Sequence, residues 1–223
     1  IHGGLRYLEQ GQVRLVHEAL RERAILLRTA PEFVRPLPFL VPHYAGRGRP
    51  RAWVQLGLAL YRLLAGSAAD VAGSGGALTA DEALHRVPGL DREGLRGASR
   101  FSDAQMDDAA LTIALAVDAE RAGATIRTHT EAVALARIAD GRGWRAHFHD
   151  QISGTDGEVE ARAVVNAAGP WADDVRALAE GRGTPSVRRT RGAHVVFAVA
   201  PPPTALLLTA RRDRRVFFAI PWG

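Results

Sequence analysis

The sequence opens with Ile1-His2-Gly3-Gly4-Leu5-Arg6-Tyr7-Leu8, which places an imidazole, two adjacent glycines, a guanidinium and a phenol within one short stretch. Because glycine has no Cβ, its main chain can pass close to a planar ring and can adopt a positive φ. The guanidinium of Arg6 presents a fixed fork of donors that suits a phosphate or a carboxylate. The stretch therefore predicts a turn that contacts a ring-shaped ligand and an anion; a surface turn that leads into a helix is the alternative.

A second informative stretch is Asn166-Ala167-Ala168-Gly169-Pro170-Trp171, which follows the apolar pair Val164 and Val165. β-Branched residues are typical of a strand, and a glycine after a strand lets the main chain approach a bound group. We therefore expect Gly169 to close a strand and to leave space for a ligand beside the backbone.

Several further blocks accompany these two stretches in chain order. They are RLVHEALRER at Arg14 to Arg23, FSDAQMDDA at Phe101 to Ala109, RGAHVV at Arg191 to Val196 and VFFAIPW at Val216 to Trp222. Together with HGGLRYLE at His2 to Glu9 and with NAAGPW, they resemble the ordered motifs of FAD-dependent glycerol-3-phosphate dehydrogenases. Those enzymes are members of the D-amino-acid-oxidase-like superfamily of flavoproteins. The resemblance runs from residue 1 to residue 223.

The resemblance implies an α/β, two-domain FAD-dependent oxidoreductase fold with an α+β substrate domain. Residues 1–30 and 100–183 are expected to form part of the FAD-binding domain, and residues 31–99 and 184–223 part of the substrate or cap domain. Nothing in the sequence matches the Gly-rich βαβ unit that receives the FAD pyrophosphate in this superfamily, nor the family's C-terminal part. We therefore interpret the sequence as an internal fragment of a longer enzyme and expect the fragment alone to be inactive.

The resemblance also implies a reaction, the oxidation of sn-glycerol 3-phosphate to dihydroxyacetone phosphate, with electrons passed through FAD to a quinone. Arg6 is expected to form part of the phosphate clamp, and Tyr7 to donate its hydroxyl near the substrate. His194 is expected to act as an acid/base or to position the substrate, since an imidazole titrates near neutral pH. A packing role for Tyr7 and a core position for His194 are the alternatives.

The residues expected to bind FAD are His2, Gly3, Gly4, Leu5, Ala132, Ala168 and Gly169. In this interpretation His2 lies against the isoalloxazine, Gly3 and Gly4 let the main chain approach it closely, and the main chain at Gly169 passes near the diphosphate or ribose. The main chain of Ala132 is expected to contact the adenine, by analogy with other superfamily members. Two other functions stay open at this point: an amine or amino-acid oxidase of the same superfamily, and a non-catalytic module that binds anionic surfaces.

Composition excludes several classes of site. A length of 223 residues with 47% hydrophobic content allows a sizeable core and one or two domains. The absence of cysteine removes disulfides and thiolate metal sites. We expect no metal, and we expect His147 and His149 to be ordinary surface residues on a strand.

The net charge of +5 comes with 29 basic residues, all of them arginine, which indicates a codon bias and not a nucleic-acid partner. Arginine clusters occur at 188–191 and 211–215. A solvated strand-connecting loop is the favoured interpretation of these clusters. Attraction of a phosphorylated substrate or of anionic lipid headgroups is the alternative.

The most apolar run, Trp53 to Ala65, is shorter than the roughly 20 residues that a membrane-spanning helix needs. A core helix is expected there, with a helix lying on a membrane as the alternative. The expected location is the cytoplasm. A peripheral contact with an anionic membrane, at the inner face of the cytoplasmic membrane, and a homodimer are left open.

Hydrophobic periodicity predicts a helix over Gln12 to Arg28 and another that is capped from Ser102 to Asp108 and ends at Ala122. The buried stripe of the second helix is expected to comprise Leu111, Ala114, Leu115, Ala119 and Ala122. A strand followed by a loop is expected between Pro31 and Pro50, and a surface excursion of low order from Ala65 to Gly97. The remaining predictions are a helix at 171–179, strands at 125–129, 132–137, 144–149, 158–165, 193–199, 206–208 and 216–220, and turns at 140–141 and 156–157.

Overall fold

A computed structural model describes residues 4–66, 75–139, 141–181 and 183–222. The elements in chain order are α1 (Leu5–Leu8), α2 (Val13–Thr29), β1 (Val34–Tyr44), α3 (Arg51–Ala65), β2 (Gly76–Leu78), α4 (Ala80–Arg86), β3 (Leu95–Met106), α5 (Asp108–Arg121), β4 (Thr130–Arg137), β5 (Trp144–Asp150), β6 (Asp156–Ala161), α6 (Ala172–Glu180), β7 (Ala205–Thr209) and β8 (Val216–Ala219). A 3-10 turn over Gly169–Trp171 precedes α6.

The chain divides into two compact units, one formed by Ile1–Val117 with Ala198–Gly223 and the other by Asp118–Phe197. The mixed α/β content confirms the predicted fold class. Compactness alone does not say which unit binds a cofactor. The assignment of residue ranges to an FAD-binding and a substrate domain therefore stays a prediction.

The first unit is built on a five-stranded sheet with the order β2-β3-β1-β7-β8. The central strand β1 pairs antiparallel with β3 along its whole length, from Val34 opposite Met106 to Tyr44 opposite Leu95. On its other side β1 runs parallel to β7, which pairs antiparallel with β8. The strand predicted between Pro31 and Pro50 and the strands predicted at 206–208 and 216–220 are thus confirmed.

Two hydrophobic clusters cover the two faces of this sheet, because successive strand residues point to opposite sides. Phe39 belongs to the cluster under α1, α2 and α3, together with Leu20, Leu58 and Phe101. Its neighbour Leu40 belongs to the opposite cluster, which packs under α4. The core-helix prediction for Trp53 to Ala65 is correct for one face of α3, since Leu58 and Tyr61 are buried there.

The segment from Ala65 to Gly97 is more ordered than expected. Thr79 caps α4 through a capping box in which its side chain accepts from the backbone N–H of Glu82 and the Glu82 carboxylate accepts from the N–H of Thr79. Such reciprocal bonding satisfies two N–H groups that a helix start leaves without a partner. Leu78, Ala83 and Leu90 are buried in the second cluster. The predicted excursion of low order is therefore wrong for the described residues 75–97.

Helix α5 forms where a helix was predicted, but its start and its buried face differ. Residues up to Met106 continue β3, so the N-terminal bonds come from Asp107, whose carboxylate accepts from Ala110 N–H at 2.9 Å. Leu111 is buried, whereas Leu115 is 59% exposed and Ala122 is exposed as well. The predicted stripe along this helix is wrong beyond its first turn.

The second unit is a three-stranded antiparallel sheet with the order β4-β5-β6, followed by α6. The strands predicted at 132–137 and 144–149 and the helix predicted at 171–179 are confirmed. His147 and His149 lie on β5 as expected, with partly exposed side chains beside Glu158 and Asp156.

Three strand predictions in the second unit are wrong, in whole or in part. Residues 125–129 and 193–199 pair with no described strand, and β6 ends at Ala161 instead of Val165. The turn that was predicted at 156–157 lies earlier in the chain, because Asp156 already begins β6. The observed turn is closed by the hydrogen bond from Gly154 N–H to Asp150 O. The other turn was predicted at 140–141, and Asp140 lies outside the described residues. β-Branched composition is a weak signal when no neighbouring strand completes a ladder.

Candidate functional site

Gly4 begins α1 and has a left-handed backbone with φ 76°. Its carbonyl accepts a hydrogen bond from Tyr7 N–H at 2.7 Å. A Cβ built on Gly4 would lie 2.7 Å from Tyr7 Cδ2, closer than real side chains approach. Glycine is therefore needed here both for its positive φ and for its close contact with the tyrosine ring. The turn leads into a helix, as the alternative for this stretch anticipated, but Gly4 is buried and not at the surface.

Tyr7 and Leu5 lie half-buried on the cluster under α1, α2 and α3. This supports the packing role for the tyrosine, and the predicted role of its hydroxyl stays a prediction. The carbonyl of Tyr7 accepts from both Gln10 N–H and Gln12 N–H, which fixes the turn between α1 and α2. His2, Gly3 and the side chain of Arg6 lie outside the described residues, so their predicted roles stay predictions.

A buried ion pair holds the elements beneath this turn. Arg23 of α2 donates from Nη1 to Asp103 Oδ1 of β3 at 2.6 Å, and both side chains are almost fully buried. The same nitrogen donates to Ser102 O at 3.1 Å, and Tyr61 of α3 donates its hydroxyl to Asp103 Oδ1 at 3.2 Å. One carboxylate thus joins two helices to the sheet.

A second buried polar pair lies at the other end of the same sheet face. His43 Nε2 lies 2.8 Å from Ser99 Oγ, across the β1/β3 ladder. Burial and, to a lesser degree, the positive charge of Arg51 lower the pKa of His43 below its ordinary value of 6.5. The imidazole is therefore neutral at pH 7 and acts as a hydrogen-bonding partner inside the fold.

The Asn166 to Trp171 stretch forms a turn stabilised by its own asparagine. Asn166 Nδ2 donates to Ala172 O at 2.8 Å, and its Oδ1 accepts from Ala168 N–H at 3.2 Å. Gly169 has φ 54° and is exposed, and a Cβ built there meets no atom within 4 Å. The expectation that Gly169 closes a strand is wrong, because residues 162–168 form none. A bound group beside this backbone stays a prediction.

Ala132 lies exposed on β4, the edge strand of its sheet, beside an irregularity of register between Ala132 and Ala134. An edge strand has main-chain groups that no neighbouring strand uses. Helix α6, which follows the Gly169 turn, packs against β4. The second unit therefore brings Ala132, Ala168 and Gly169 onto adjoining elements.

His194 lies exposed in a segment without regular structure. The core-histidine alternative is therefore wrong, and its predicted catalytic role stays a prediction. Its neighbours Val195 and Val196 are also exposed, at 72% and 79%. Asp173 fixes the beginning of this segment: its carboxylate accepts from the hydroxyl and N–H of Ser186 and from Val187 N–H. These bonds lower the pKa of Asp173 to about 2.

No cluster of three or more histidine, aspartate or glutamate side chains suited to a metal ion occurs among the described residues. Within those residues, too, no helix is long and apolar enough to cross a membrane. The geometry thus comprises a tightly packed glycine turn on the first unit, and an open glycine turn beside an edge strand on the second.

A family described as FAD dependent oxidoreductase matches residues 1–223, the whole chain. The chain belongs to this family. Two curated relatives of this chain are glycerol-3-phosphate dehydrogenase 2 of Mycobacterium tuberculosis, 41% identical over 223 residues, and the mitochondrial glycerol-3-phosphate dehydrogenase of Homo sapiens, 36% identical over 236 residues. Each alignment covers 100% of this chain, but only 37% and 32% of the respective relative. The chain therefore spans about a third of their length.

Among solved structures, this chain resembles the glycerol-3-phosphate dehydrogenase of Bacillus halodurans, which was determined in complex with FAD. The TM-score is 0.65 at 24% identity, over 91% of this chain and 35% of the other. At this level of identity the likeness shows the fold. It confirms the predicted FAD-dependent oxidoreductase architecture.

Sequence reasoning assigned no role to Arg23, His43 or Ser99, and it considered Tyr61 only as an anchor at a membrane interface. A signal for Arg23 was present, because it falls on the buried stripe of α2 between Leu20 and Leu27. A charged residue on an apolar stripe implies a buried partner of opposite charge. The identity of that partner, Asp103, follows only from the strand pairing.

Proposed function

We propose that the protein carrying this chain oxidises sn-glycerol 3-phosphate to dihydroxyacetone phosphate with FAD and passes the electrons to a quinone. The observation that carries the proposal is the similarity to curated glycerol-3-phosphate dehydrogenases, which extends over the whole chain at 41% identity. The dehydrogenases that match come from mycobacteria, Staphylococcus saprophyticus and mammalian mitochondria, so the similarity is not confined to one lineage.

The described residues fit a flavin cofactor at one place. Gly169 leaves the space beside its backbone open, and β4 presents an unpaired edge at Ala132. We propose that Ala168, Gly169 and Ala132 contact FAD there, and that His2, Gly3, Gly4 and Leu5 contact it elsewhere along the chain. When bound, FAD supplies the acceptor for the hydride that leaves C2 of the substrate.

In this proposal the chain's own residues bind the substrate and move one proton. The guanidinium of Arg6 holds the phosphate through charge-assisted hydrogen bonds, and the Tyr7 hydroxyl orients the substrate. His194 accepts the proton of the C2 hydroxyl as the hydride departs, so that a ketone forms at C2. The exposed position of His194 leaves its imidazole accessible to a ligand.

The first test compares substrates. The purified protein that carries this chain, reconstituted with FAD, should bleach its flavin absorbance with sn-glycerol 3-phosphate under anaerobic conditions, and should reduce a quinone analogue in turnover. Glycine and proline serve as controls for the amino-acid oxidase alternative. Bleaching by either amino acid, without bleaching by glycerol 3-phosphate, would replace the proposed reaction with that alternative.

A second test separates binding from chemistry. Arg6→Ala should raise KM by about tenfold or more, since a charge-assisted bond to phosphate contributes roughly 1.5–3 kcal/mol. Arg14→Ala is the matched control, because the Arg14 side chain is 93% exposed and pairs only with Glu18 among the described residues. His194→Ala should slow flavin reduction while FAD stays bound. Unchanged KM in Arg6→Ala would remove the phosphate role.

The proposed electron acceptor, a quinone, implies where in the cell the enzyme works. Quinones dissolve in the bilayer, so the proposal includes a cytoplasmic enzyme in peripheral contact with the inner face of the cytoplasmic membrane. The proposal also includes a homodimer, which sedimentation equilibrium of the detergent-free protein tests directly.

A further inference from the structure

The short helix α1 carries Arg6 and Tyr7, and its position depends on the two longer helices beside it. The apolar side chains of α1, those of Leu5, Tyr7 and Leu8, pack on the cluster under α1, α2 and α3. Helix α1 contacts both α2 and α3, and the Tyr7 carbonyl accepts from two N–H groups in the turn that leads into α2. The arrangement of α2 against α3 therefore determines where α1 lies.

Two hydrogen bonds join α2 to α3. In the interior, Arg23 Nη1 donates to the Tyr61 hydroxyl at 3.3 Å. At the surface, His17 Nδ1 lies 3.2 Å from Leu64 O, and because a carbonyl only accepts, the ring nitrogen donates. Residue numbers rise along α2 where they fall along α3, so the beginning of α2 lies beside the end of α3. Helix α1, which precedes α2, therefore packs at the end of α3 that holds Tyr61 and Leu64.

The interior hydrogen bond is anchored to the sheet by one carboxylate. Asp103 Oδ1 of β3 accepts from the Tyr61 hydroxyl at 3.2 Å and from Arg23 Nη1 at 2.6 Å. The exposed fractions of Arg23, Tyr61 and Asp103 are only 1%, 2% and 4%. A buried polar group that left this arrangement would lose its partner at high cost, so the geometry is fixed. The Tyr61 hydroxyl thus sets where α3 lies relative to both α2 and β3.

Stability alone does not account for this buried group of charges. Desolvation offsets much of the attraction in a buried ion pair, and apolar side chains of similar volume often stabilise a fold as well. Arg23 Nε is also buried, and it has no hydrogen-bond partner within the part of the chain that the structure describes, which adds a further cost. A costly pair at this place is better explained by the geometry that it imposes.

We propose that Tyr61 is a positioning residue for substrate binding. Its hydroxyl, held by Asp103 and Arg23, sets the spacing of α2 and α3. That spacing sets the position of α1, and with it the positions of Arg6 and Tyr7. The inference rests on the proposed function, which assigns Arg6 and Tyr7 to the substrate. Hydrogen bonds form only within a narrow range of distances, so a small displacement of α1 weakens binding of the substrate phosphate.

The first test removes the hydroxyl and keeps the ring, which packs edge-on against Phe101 at a centroid distance of 6.4 Å. In the FAD-reconstituted protein that carries this chain, Tyr61→Phe should raise KM for sn-glycerol 3-phosphate about fivefold and change kcat by about twofold or less. Tyr44→Phe is the matched control, because Tyr44 packs on the opposite face of the sheet, and its KM should equal that of the wild type.

The wild type separates the two possible failures. If it turns over sn-glycerol 3-phosphate and Tyr61→Phe has an unchanged KM, the inference is overturned. If the wild-type flavin is not reduced by this substrate, the proposed function is overturned instead, and the position of α1 is then tested by hydrogen exchange as described below.

A double-mutant cycle tests whether Tyr61 acts through Arg6. In the Arg6→Ala background, adding Tyr61→Phe should raise KM by about twofold at most, because the displaced guanidinium is already absent. A further fivefold rise would show that the two residues act independently, and it would overturn the inference.

A variant at the surface serves if Tyr61→Phe does not fold. His17→Ala removes the second hydrogen bond between α2 and α3 at an exposed position, and it should raise KM about twofold. Glu18→Ala is its control, because Glu18 is exposed on the same helix and pairs with Arg14, so KM should not change. An unchanged KM in His17→Ala would then overturn the inference.

Hydrogen exchange distinguishes positioning from a general loss of stability, and it needs no turnover. The N–H groups of Gln10 and Gln12 donate to Tyr7 O, and their exchange should be about fivefold faster in Tyr61→Phe. The N–H of Val87, at the end of α4 on the opposite face of the sheet, should exchange at the wild-type rate. Acceleration at none of these amides would overturn the proposal. Equal acceleration at all three would also overturn it, because the hydroxyl would then stabilise the whole unit without placing α1.

Discussion

The five-stranded sheet of the first unit is covered on both faces, whereas the three-stranded sheet of the second unit leaves large side chains such as Val133 and Val159 exposed, at 45% and 53%. Among the described residues, the buried apolar side chains all belong to the first unit. The second unit is held by partly exposed contacts such as Arg145 with Glu160 and Arg189 with Asp174. Apolar burial supplies most folding free energy, and exposed ion pairs supply little.

This difference decides where substitutions report on function. Ala168, Gly169 and His194 occupy open or partly open positions in the second unit, so replacing them should cost little stability. Gly4 and Tyr7 are packed into the first unit, so replacing them changes fold and site together. A loss of activity is therefore easier to interpret in the second unit.

The largest expected effect tests the buried ion pair of the first unit. Asp103→Ala leaves Arg23 charged and buried without its carboxylate, which should lower the free energy of unfolding by about 3–5 kcal/mol. Glu18→Ala, which breaks an exposed pair on the same helix, should cost about 0.5 kcal/mol or less. Urea unfolding measures both variants.

Similar costs for Asp103→Ala and Glu18→Ala would show that the buried pair is not what joins α2 to the sheet. The double variant Arg23→Met/Asp103→Leu sharpens the result. It should recover part of the lost stability, since replacing both charged residues leaves no unpaired buried charge, while the Tyr61 hydroxyl and the Ser102 carbonyl lose the contacts that Arg23 and Asp103 made with them.

The next effect compares two glycines with positive φ. Gly4→Ala should lower stability by roughly 3 kcal/mol, because a left-handed alanine costs about 1–2 kcal/mol and the new Cβ also collides with the Tyr7 ring. Gly169→Ala should cost only about 1 kcal/mol, since its Cβ would enter open space. Thermal unfolding measures the difference. If both variants lose the same stability, the collision with Tyr7 contributes nothing.

Local signals predicted much of the fold. The 3.6-residue period placed α2 within one residue of each end, and alternation along the chain placed β4 and β5. The Thr79-x-x-Glu82 pattern was also readable as a capping box, yet the surrounding glycines and alanines favoured a loop. The apolar run 193–199 looked like a strand, but strand formation depends on a partner that local composition does not reveal.

The features of the candidate site also differ in whether local sequence could predict them. The positive φ of Gly4 was predictable because glycine adopts it readily, whereas the turn at Gly169 was not, because a strand was expected there. The contact between Arg23 and Asp103 joins residues 80 positions apart and depends on strand register. For Trp53 to Ala65 the sequence left a core helix and a membrane-lying helix both open, since periodicity shows apolar faces but not which of them the core covers.

A smaller effect depends on pH and tests the buried His43. Its folded-state pKa is lowered from 6.5 by burial and by Arg51. The unfolded chain therefore binds a proton first as pH falls, so stability present above pH 6.5 is lost as pH falls from there through the folded-state pKa. Urea unfolding between neutral and mildly acidic pH should show this slope in the wild type and a shallower one in His43→Gln. His85→Gln, at an exposed histidine on α4, should keep the wild-type slope.

The smallest expected effect is local and lies in the second unit. Asp173 has a pKa lowered to about 2 from 3.8, first by the Ser186 hydroxyl and then by the N–H groups of Val187 and Ser186. A lowered carboxylate pKa stabilises these contacts above pH 3.8, and the stabilisation is lost as pH falls through about 2. Hydrogen exchange, corrected for its intrinsic pH dependence, should show the Ser186 and Val187 amides protected near neutral pH and progressively less protected across that window.

Asp173→Asn should reduce this protection at neutral pH, whereas Asp174→Asn, whose carboxylate contacts Arg189 and not these amides, should preserve it. Because the contacts are local and solvent-accessible, global unfolding should change little in either variant, and unprotected amides in the wild type would show that the carboxylate does not fix this segment.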